Sequence, residues 1–328
     1  VQTFMSSALL QVESIVNEQN DHIRMLRSAA EASLLDYDRL DIDQVKRNLV
    51  QKAEKDLVQG EQKEWYLRHE FNDGVENNGT PSGIGQVDQL SEDVLRELSM
   101  ALSLRLPFAE YRKNIPHSGW VYYISKNDFA LILPYAQLDE IQFVPDYHEL
   151  DLFTFGLPEN NPERELRWTR AYPDSFGQGM MVSLIAPIYR ESEFLGTIGV
   201  DMTFVELASY VKTELFQDYN VAIVDNGDQV IAHSVMAENP EAGVYTLSSL
   251  LSSDAGAKPN ILSDQQFHLF EQQYVLKYPL SSTPWNLVFL EDVVSWHLSL
   301  LISIIPELII IVFGLMIVLF LIRINRIN

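Results

Sequence analysis

Apolar side chains recur at helical spacing along the first part of the chain. Ala8, Val12, Val16 and Ile23 are separated by four or seven residues, intervals at which side chains share one face of an α-helix. Neither proline nor glycine interrupts this segment. The pattern therefore predicts a single helix over residues 1–36, roughly 50 Å long at 1.5 Å per residue.

Strand-forming residues dominate residues 167–204, where two short turns separate three predicted strands. The second strand is predicted over 180–189 and the third over 194–204. Asp174 lies in the first turn, and Asp201 interrupts an otherwise apolar run of the third strand. A buried carboxylate is costly unless a cation or several donors satisfy it. Asp201 is therefore predicted to be a functional residue.

Similar patterns divide the rest of the chain into further elements. Residues 72–83 are polar and rich in glycine, which predicts an exposed loop. Asn226-Gly227 lies between two apolar runs and predicts a tight hairpin turn with positive φ at that pair. The other predicted elements are helices over 41–59, 91–105 and 205–216, and strands over 119–125, 129–133, 219–224, 229–233, 272–279 and 285–290.

A long apolar segment follows the last of these strands. Residues 298–322 are almost wholly apolar, and roughly 20 such residues suffice to cross a bilayer. Arg323 and Arg326 follow at once, and basic residues favour the cytoplasmic side of a membrane. We therefore predict a transmembrane helix within 293–322, with the C-terminus in the cytoplasm.

Composition and motif searches exclude several classes of function. The formal net charge of −23 would repel the phosphates of a nucleic acid, and the absence of cysteine excludes thiolate metal sites. The seven histidines have no metal-binding spacing, and neither a nucleophile elbow nor a phosphate-cradling loop is present. Asp174 and Asp201 could act as a paired acid and base, but the sequence supplies no matching substrate cleft. We therefore predict no catalytic residue, metal or cofactor.

Three short motifs resemble the double Cache family, the extracytoplasmic sensor modules of bacterial histidine kinases, chemoreceptors and cyclic-nucleotide signalling proteins. The motifs are Trp168-Thr169-x-x-Tyr172-x-Asp174, Val182-Ser183-x-x-x-Pro187-Ile188-Tyr189 and Leu195-Gly196-x-x-Gly199-Val200-Asp201. The resemblance implies two stacked PAS-like domains on a long N-terminal helix. It also implies that Asp174 and Asp201 hold the ammonium group of a ligand.

The part of the pattern that holds a ligand carboxylate differs in this chain. Amino-acid-binding members of the family carry an arginine shortly after a tyrosine, whereas the corresponding residues 147–155 contain none. Arg164, Arg167 and Arg170 are the candidate replacements. The resemblance therefore implies an amine or another small polar ligand. The predicted ligand-binding residues are Asp201, Asp174, Tyr172, Trp168, Tyr122, Tyr123, Phe155, Arg170 and Ser183, although only one of the adjacent tyrosines can face a pocket.

The predicted fold is α/β, more narrowly α+β, with two tandem PAS-like antiparallel sheets. The chain starts without methionine or a signal peptide, and the resemblance implies a first transmembrane helix before it. The predicted divisions are a stalk helix in 1–36, a membrane-distal ligand-binding domain in 37–205, a membrane-proximal domain in 206–292, a transmembrane helix in 293–322 and the start of a cytoplasmic segment in 323–328.

The resemblance also implies a location and partners. We expect a homodimer joined through the N-terminal helix in the bacterial inner membrane, with residues 1 to about 297 in the periplasm. Kinase, cyclase and chemoreceptor outputs all remain open. The alternative is a membrane-anchored ectodomain that binds a protein partner and no small ligand. A salt-bridged Asp201 in a filled core would favour that alternative, and a cavity around Asp201 would favour the sensor.

Overall fold

The protein is an α+β chain with a long N-terminal helix and two antiparallel sheets. Its computed structural model describes residues 2–35, 39–53, 64–66, 79–115, 119–134, 145–212, 220–233, 246–251, 266–270 and 272–325. The helices are α1 (Gln2–Leu34), α2 (Ile42–Ala53), α3 (Glu92–Ser103), α4 (Arg105–Asn114), α5 (Asp151–Thr154), α6 (Phe204–Tyr210), α7 (Leu247–Leu250) and α8 (Val293–Asn325).

Strands account for most of the remaining ordered elements. In chain order they are β1 (Glu64–Tyr66), β2 (Thr80–Ile84), β3 (Val121–Ser125), β4 (Phe129–Leu133), β5 (Arg167–Trp168), β6 (Tyr172–Pro173), β7 (Met180–Arg190), β8 (Glu193–Thr203), β9 (Asn220–Asp225), β10 (Val230–His233), β11 (Phe267–Phe270), β12 (Gln273–Pro279) and β13 (Trp285–Asp292).

Helix α1 buries the face that the sequence pattern predicts. Ala8, Val12, Val16 and Ile23 are each at most 3% exposed, and the helix packs on β7 and β8. Burying an aliphatic side chain of this kind contributes about 1.5–3 kcal/mol. On the same helix, the carboxylate of Glu13, next to Val12, accepts a hydrogen bond from the backbone N–H of Ser281 at 3.0 Å. Helix α1 therefore contacts both sheets.

The larger sheet has the strand order β1-β2-β4-β3-β8-β7-β5, with β6 also paired to β7. All neighbouring strands in this sheet are antiparallel to each other. The central strands β7 and β8 are buried over nine consecutive residues each, 181–189 and 194–202. Burial on both faces follows because α1 covers one side of these strands while α5 contacts them as well. An acidic side chain in β8 is therefore enclosed whichever way it points.

The smaller sheet has the strand order β10-β9-β13-β12-β11 and is also antiparallel. Its central strand β13 ends at Asp292, and α8 begins at the next residue. The Asp292 carboxylate accepts hydrogen bonds from the backbone N–H groups of Val294 and Ser295 at 2.8 and 3.0 Å, which satisfies free donors at the start of the helix. Helix α8 is thus fixed directly to the sheet. Among the helices in the described ranges, none is identified as long and apolar enough to cross a membrane.

The structure corrects the loop that was predicted over 72–83. Residues 80–84 form the buried strand β2, while residues 72–78 lie outside the described part of the chain. Gly83 packs directly against the Trp65 ring on the neighbouring strand, and a side chain there would overlap that ring. The glycine that suggested a loop is therefore a close-packing position within a sheet.

Other differences are smaller. Helix α4 was not predicted, and the linker helix is α6, which is shorter at its C-terminal end than the predicted 205–216. In the β9–β10 turn the positive φ falls on Asp228, at 72°, and not on the predicted Asn-Gly pair. The reason is that the Asp225 carboxylate accepts hydrogen bonds from the N–H groups of Gly227 and Gln229, both at 2.8 Å, which sets a different turn.

Candidate ligand-binding site

A cavity of about 690 Å³ lies beside the larger sheet, on β3, β6 and β8. Residues 147–152 close one side, and the β9–β10 turn of the smaller sheet also contributes to its wall. Asp201 and Asp174 both line this cavity. Its aromatic lining residues are Trp120, Tyr122, Tyr147, Tyr172 and Phe176.

Asp201 lies near the C-terminal end of β8 and is 3% exposed. Its neighbour across the β7–β8 pair is Ser183, whose Oγ donates a hydrogen bond to Asp201 Oδ1 at 2.6 Å. The Tyr172 hydroxyl lies 2.6 Å from the same Ser183 Oγ. On the other side of the strand, the backbone N–H of Asp201 donates to the Trp120 carbonyl at 2.8 Å. The carboxylate is therefore held in one orientation by two neighbouring strands.

The pKa of Asp201 is raised to about 7, chiefly because burial disfavours the ionised carboxylate. The hydrogen bond from Ser183 opposes this shift, and the nearby Asp174 charge adds to it. A positively charged group in the cavity would favour the ionised form and bring the pKa back down. The site is thus arranged to gain from a cation.

Asp174 lies at the mouth of the cavity and is also fixed. The Trp120 indole N–H donates to its Oδ1 at 3.1 Å, and the Gln178 backbone N–H donates to its Oδ2 at 2.8 Å. Gly177 and Gly179 have φ of 85° and 89°, which close the turn that begins at Asp174. Both are conformations that glycine adopts without a steric penalty.

The structure distinguishes the two adjacent tyrosines. Tyr122 is 4% exposed and lines the cavity, where its hydroxyl interacts with Ser183 and Asp201. Tyr123 points to the opposite face of β3, where its hydroxyl donates to the Glu97 carboxylate of α3 at 2.6 Å. Alternation along the strand makes this division unavoidable. The prediction of Tyr123 as a ligand contact therefore does not agree with its position.

Two aromatic residues that were predicted to bind the ligand lie outside the cavity around Asp201. Trp168 and Phe155 line a separate cavity of about 990 Å³ between α1 and the turn at 281–284. The predicted strand is interrupted between β5 and β6. Trp168 and Tyr172 therefore belong to different short strands and line different cavities. A continuous strand would have put them on one face. Trp168 instead packs against Trp285 of the smaller sheet.

The two other predicted ligand-binding residues, Ser183 and Arg170, lie behind the cavity and at its rim. Ser183 is fully buried, is not among the lining residues, and orients Asp201. Arg170 lines the rim of the cavity, but its side chain is 80% exposed and makes a two-pronged ion pair with Asp151 at 2.7 and 2.8 Å. The other candidate clamps, Arg164 and Arg167, line the separate cavity.

Several site residues were missed in the sequence. Trp120 lies two positions before Tyr122 in the same extended segment, so the period of a strand could have placed it on the cavity side. Tyr147 lies in a short 3₁₀ helix and Phe176 in a turn, and neither segment has such a period. Asp225 belongs to the other sheet, and nothing in the local sequence connects it with Asp201.

Comparison with known proteins adds a likeness of fold. No protein-family model matches the sequence, and no curated protein matches it significantly. The ligand-binding domain of the Pseudomonas aeruginosa amino acid chemoreceptor PctC, in complex with GABA, is 14% identical, with 84% of this chain and 100% of that chain covered and a TM-score of 0.44. The sensory domain of the Campylobacter jejuni chemoreceptor Tlp3, with isoleucine bound, is 16% identical, with 87% and 95% covered and a TM-score of 0.41.

The extracellular domain of mmHK1S-Z3, described as a histidine kinase, is 15% identical, with 58% of this chain and 79% of that chain covered and a TM-score of 0.43. These low identities and scores concern the architecture and give no information on the ligand. The chain is thus similar to ligand-binding and sensory domains of two bacterial chemoreceptors and to the extracellular domain of a protein described as a histidine kinase.

Proposed function

We propose that this chain is the extracytoplasmic sensing region of a bacterial transmembrane receptor and that it binds a small amine in the cavity around Asp201. The observation that carries the proposal is Asp201 itself, a 3% exposed carboxylate that lines a cavity of about 690 Å³. A buried carboxylate requires a cation or several donors, and the donors beside Asp201 are neutral hydroxyl groups such as that of Ser183. The cavity leaves room for a ligand that supplies a cation.

The walls of the cavity suit an ammonium group. Asp174 supplies a second carboxylate, fixed by Trp120 and the Gln178 N–H. The rings of Tyr122 and Tyr172 line the same volume, and the face of an aromatic ring attracts a cation by about 0.5–2 kcal/mol. Electrostatic attraction and aromatic packing therefore favour the same class of ligand.

Among the described lining residues, no unpaired cation is present for the carboxylate of an α-amino acid. Arg170 is the one cationic residue among the described residues of the lining, and Asp151 already occupies its guanidinium with two hydrogen bonds. A second carboxylate at this place would have to displace Asp151 or share the guanidinium with it. This geometry favours an amine without a carboxylate.

We further propose that α8 anchors the chain in the bacterial inner membrane and carries the signal. Residues 308–322 contain no charged side chain, and the apolar side chains of this helix are exposed, for example Ile310 at 71%. An exposed apolar surface of this extent needs a nonpolar partner. Because β13 runs straight into α8, a shift of the smaller sheet would move the helix. The homodimer through α1 and the predicted domain limits at 37–205 and 206–292 are part of the same proposal.

The test of ligand binding uses the chain reconstituted in lipid nanodiscs and calorimetric titration with butylamine, butyrate and alanine. Butylamine should bind, and the other two should bind at least tenfold more weakly. Asp201→Asn should abolish butylamine binding because the charge is lost, while the exposed Asp88→Asn should leave it unchanged. Binding of none of the probes, with both variants folded, would favour the alternative of an ectodomain that binds a protein partner.

Membrane topology can be tested separately because the chain has no cysteine. A single cysteine introduced as Ser91→Cys, at the exposed start of α3, should react with a membrane-impermeant thiol reagent added to intact spheroplasts. A cysteine introduced as Asn328→Cys should react only after the membrane is opened. Equal labelling of both variants in intact spheroplasts would contradict the proposed topology.

A further inference from the structure

The cavity around Asp201 is shared between the two sheets. Asp225, Gly227 and Gln229 line it, and all three belong to the β9–β10 hairpin of the smaller sheet. Asp225 also pairs across the sheet with Trp285, the first residue of β13. A ligand in this cavity therefore contacts the sheet that continues into α8 as well as the sheet that holds Asp201.

Only one oxygen of the Asp225 carboxylate accepts a hydrogen bond from the described residues. Oδ1 accepts hydrogen bonds from the N–H groups of Gly227 and Gln229, both at 2.8 Å. Oδ2 has no hydrogen bond or ion pair within the described residues. The turn thus fixes the direction of the carboxylate of a residue that lines the cavity, and it leaves one carboxylate oxygen available.

The charges of the lining are strongly unbalanced. One carboxylate, Asp151, is neutralised by Arg170, the only cation among the described lining residues. Four acidic groups are then left without a positive partner there: Glu149, Asp174, Asp201 and Asp225. A monoamine would supply a single charge at the inner end of this set. The lining is therefore better matched by a ligand with at least two positive charges.

The Tyr122 hydroxyl belongs to the same end of the cavity as Asp201. It is buried, and it interacts with both Asp201 and Ser183. An ammonium group at Asp201 would therefore also lie within reach of this hydroxyl and could donate to its oxygen.

We propose that the cavity takes a linear diamine or polyamine, with one ammonium group at Asp201 and Asp174 and a second at Asp225. This inference rests on the proposed amine-binding function and adds the ligand class and a second subsite on the smaller sheet. The aliphatic part of the ligand would pack on the aromatic side chains of Tyr147 and Phe176, which line the same cavity. Bridging the sheets would couple ligand binding to β9, its partner β13, and α8.

The test compares putrescine with butylamine, which share a four-carbon chain and differ by one ammonium group. On the chain in nanodiscs, putrescine should bind about tenfold more tightly, which corresponds to about 1.4 kcal/mol. Asp225→Asn should remove this advantage and leave butylamine affinity unchanged. The variant keeps Oδ1 as the acceptor for the turn, so the fold is preserved. The matched control is Asp228→Asn, in the same turn but outside the lining, which should keep the full ratio.

The possible outcomes separate the two proposals. If neither amine binds, the proposed amine-binding function fails. If both bind equally to the unmodified chain, amine binding stands and the second subsite is wrong. Equal weakening of both ligands by Asp225→Asn would also overturn the subsite, since the charge would then act on the cavity as a whole. A series of diamines from two to six carbons provides a check without mutation, because a bridging ligand requires an optimum length that the matching monoamines lack.

Discussion

The indole rings of Trp168 and Trp285 lie 4.4 Å apart between their centroids, at an interplanar angle of 55°. Trp168 belongs to β5 of the larger sheet, and Trp285 begins β13 of the smaller one. Both are at least nine-tenths buried. This contact joins the larger sheet to the strand that leads into α8, and it gives Trp168 a structural role where the sequence predicted a ligand contact.

We predict that the two tryptophans are energetically coupled. Trp285→Ala should reduce the free energy of unfolding by about 3–5 kcal/mol, because it leaves a large cavity. A double-mutant cycle with Trp168→Ala should give a coupling of about 0.5–1.5 kcal/mol, measured by urea unfolding. A control cycle between Trp168 and Phe129, which is in another part of the larger sheet, should be additive within about 0.5 kcal/mol. If the free-energy changes of the two single variants add up to that of the double variant, the contact between the tryptophans does not contribute to stability.

Amine affinity should depend on pH through Asp201. Its pKa of about 7 in the empty site means that the carboxyl is protonated and neutral at lower pH. Butylamine remains positively charged throughout, so its affinity should rise about tenfold per pH unit up to about pH 7 and then level off. Calorimetric titration between pH 5 and 8.5 measures this, with Asp88→Asn as the control for general charge. A flat profile in the unmodified chain would contradict Asp201 as the titrating ligand contact.

The stability of the empty protein should also depend on pH, through a second buried acid. Burial raises the pKa of Glu206, on α6, to about 7, and the Tyr210 hydroxyl donates to its carboxylate at 3.0 Å. Because the folded-state pKa lies above the unfolded value, this stabilisation is complete below about pH 4.5 and is lost as the pH rises to about 7.

Between the unfolded and folded pKa values, Glu206 should make the free energy of unfolding fall by about 1.4 kcal/mol per pH unit. Glu206→Gln should remove this contribution to the slope. Urea unfolding at several pH values provides the measurement. The exposed Glu110→Gln on α4 is the control and should leave the slope unchanged. If Glu206→Gln leaves the slope as steep as before, the carboxylate is ionised in the folded protein and the assignment is wrong.

Gly199 should be required for the position of Tyr122. The two residues are neighbours across β3 and β8, and a methyl group on Gly199 would overlap the Tyr122 ring. Gly199→Ala should cost about 1–3 kcal/mol through overpacking and should weaken butylamine binding at least tenfold. The double variant Gly199→Ala with Tyr122→Ala should regain stability but not binding. Full binding by Gly199→Ala alone would mean that the ring position is unimportant for the ligand.

The sequence was sufficient to predict the elements whose pattern is local. Helix α1 was predicted by its apolar spacing, and the β7–β8 hairpin by strand-forming residues around a short turn. Asp201 could be singled out because a carboxylate in an apolar strand is costly wherever that strand is buried. These conclusions depend on neighbours along the chain, and such neighbours are visible in the sequence.

The tertiary structure was needed wherever a residue meets a distant one. It showed that Tyr122, not Tyr123, faces the cavity, because the orientation of β3 depends on which face α3 covers. It moved Trp168 to the contact with Trp285, because a break between two short strands is set by packing and not by local propensity. It also brought Asp225 of one sheet to the cavity of the other, a proximity that arises only when the two sheets pack together.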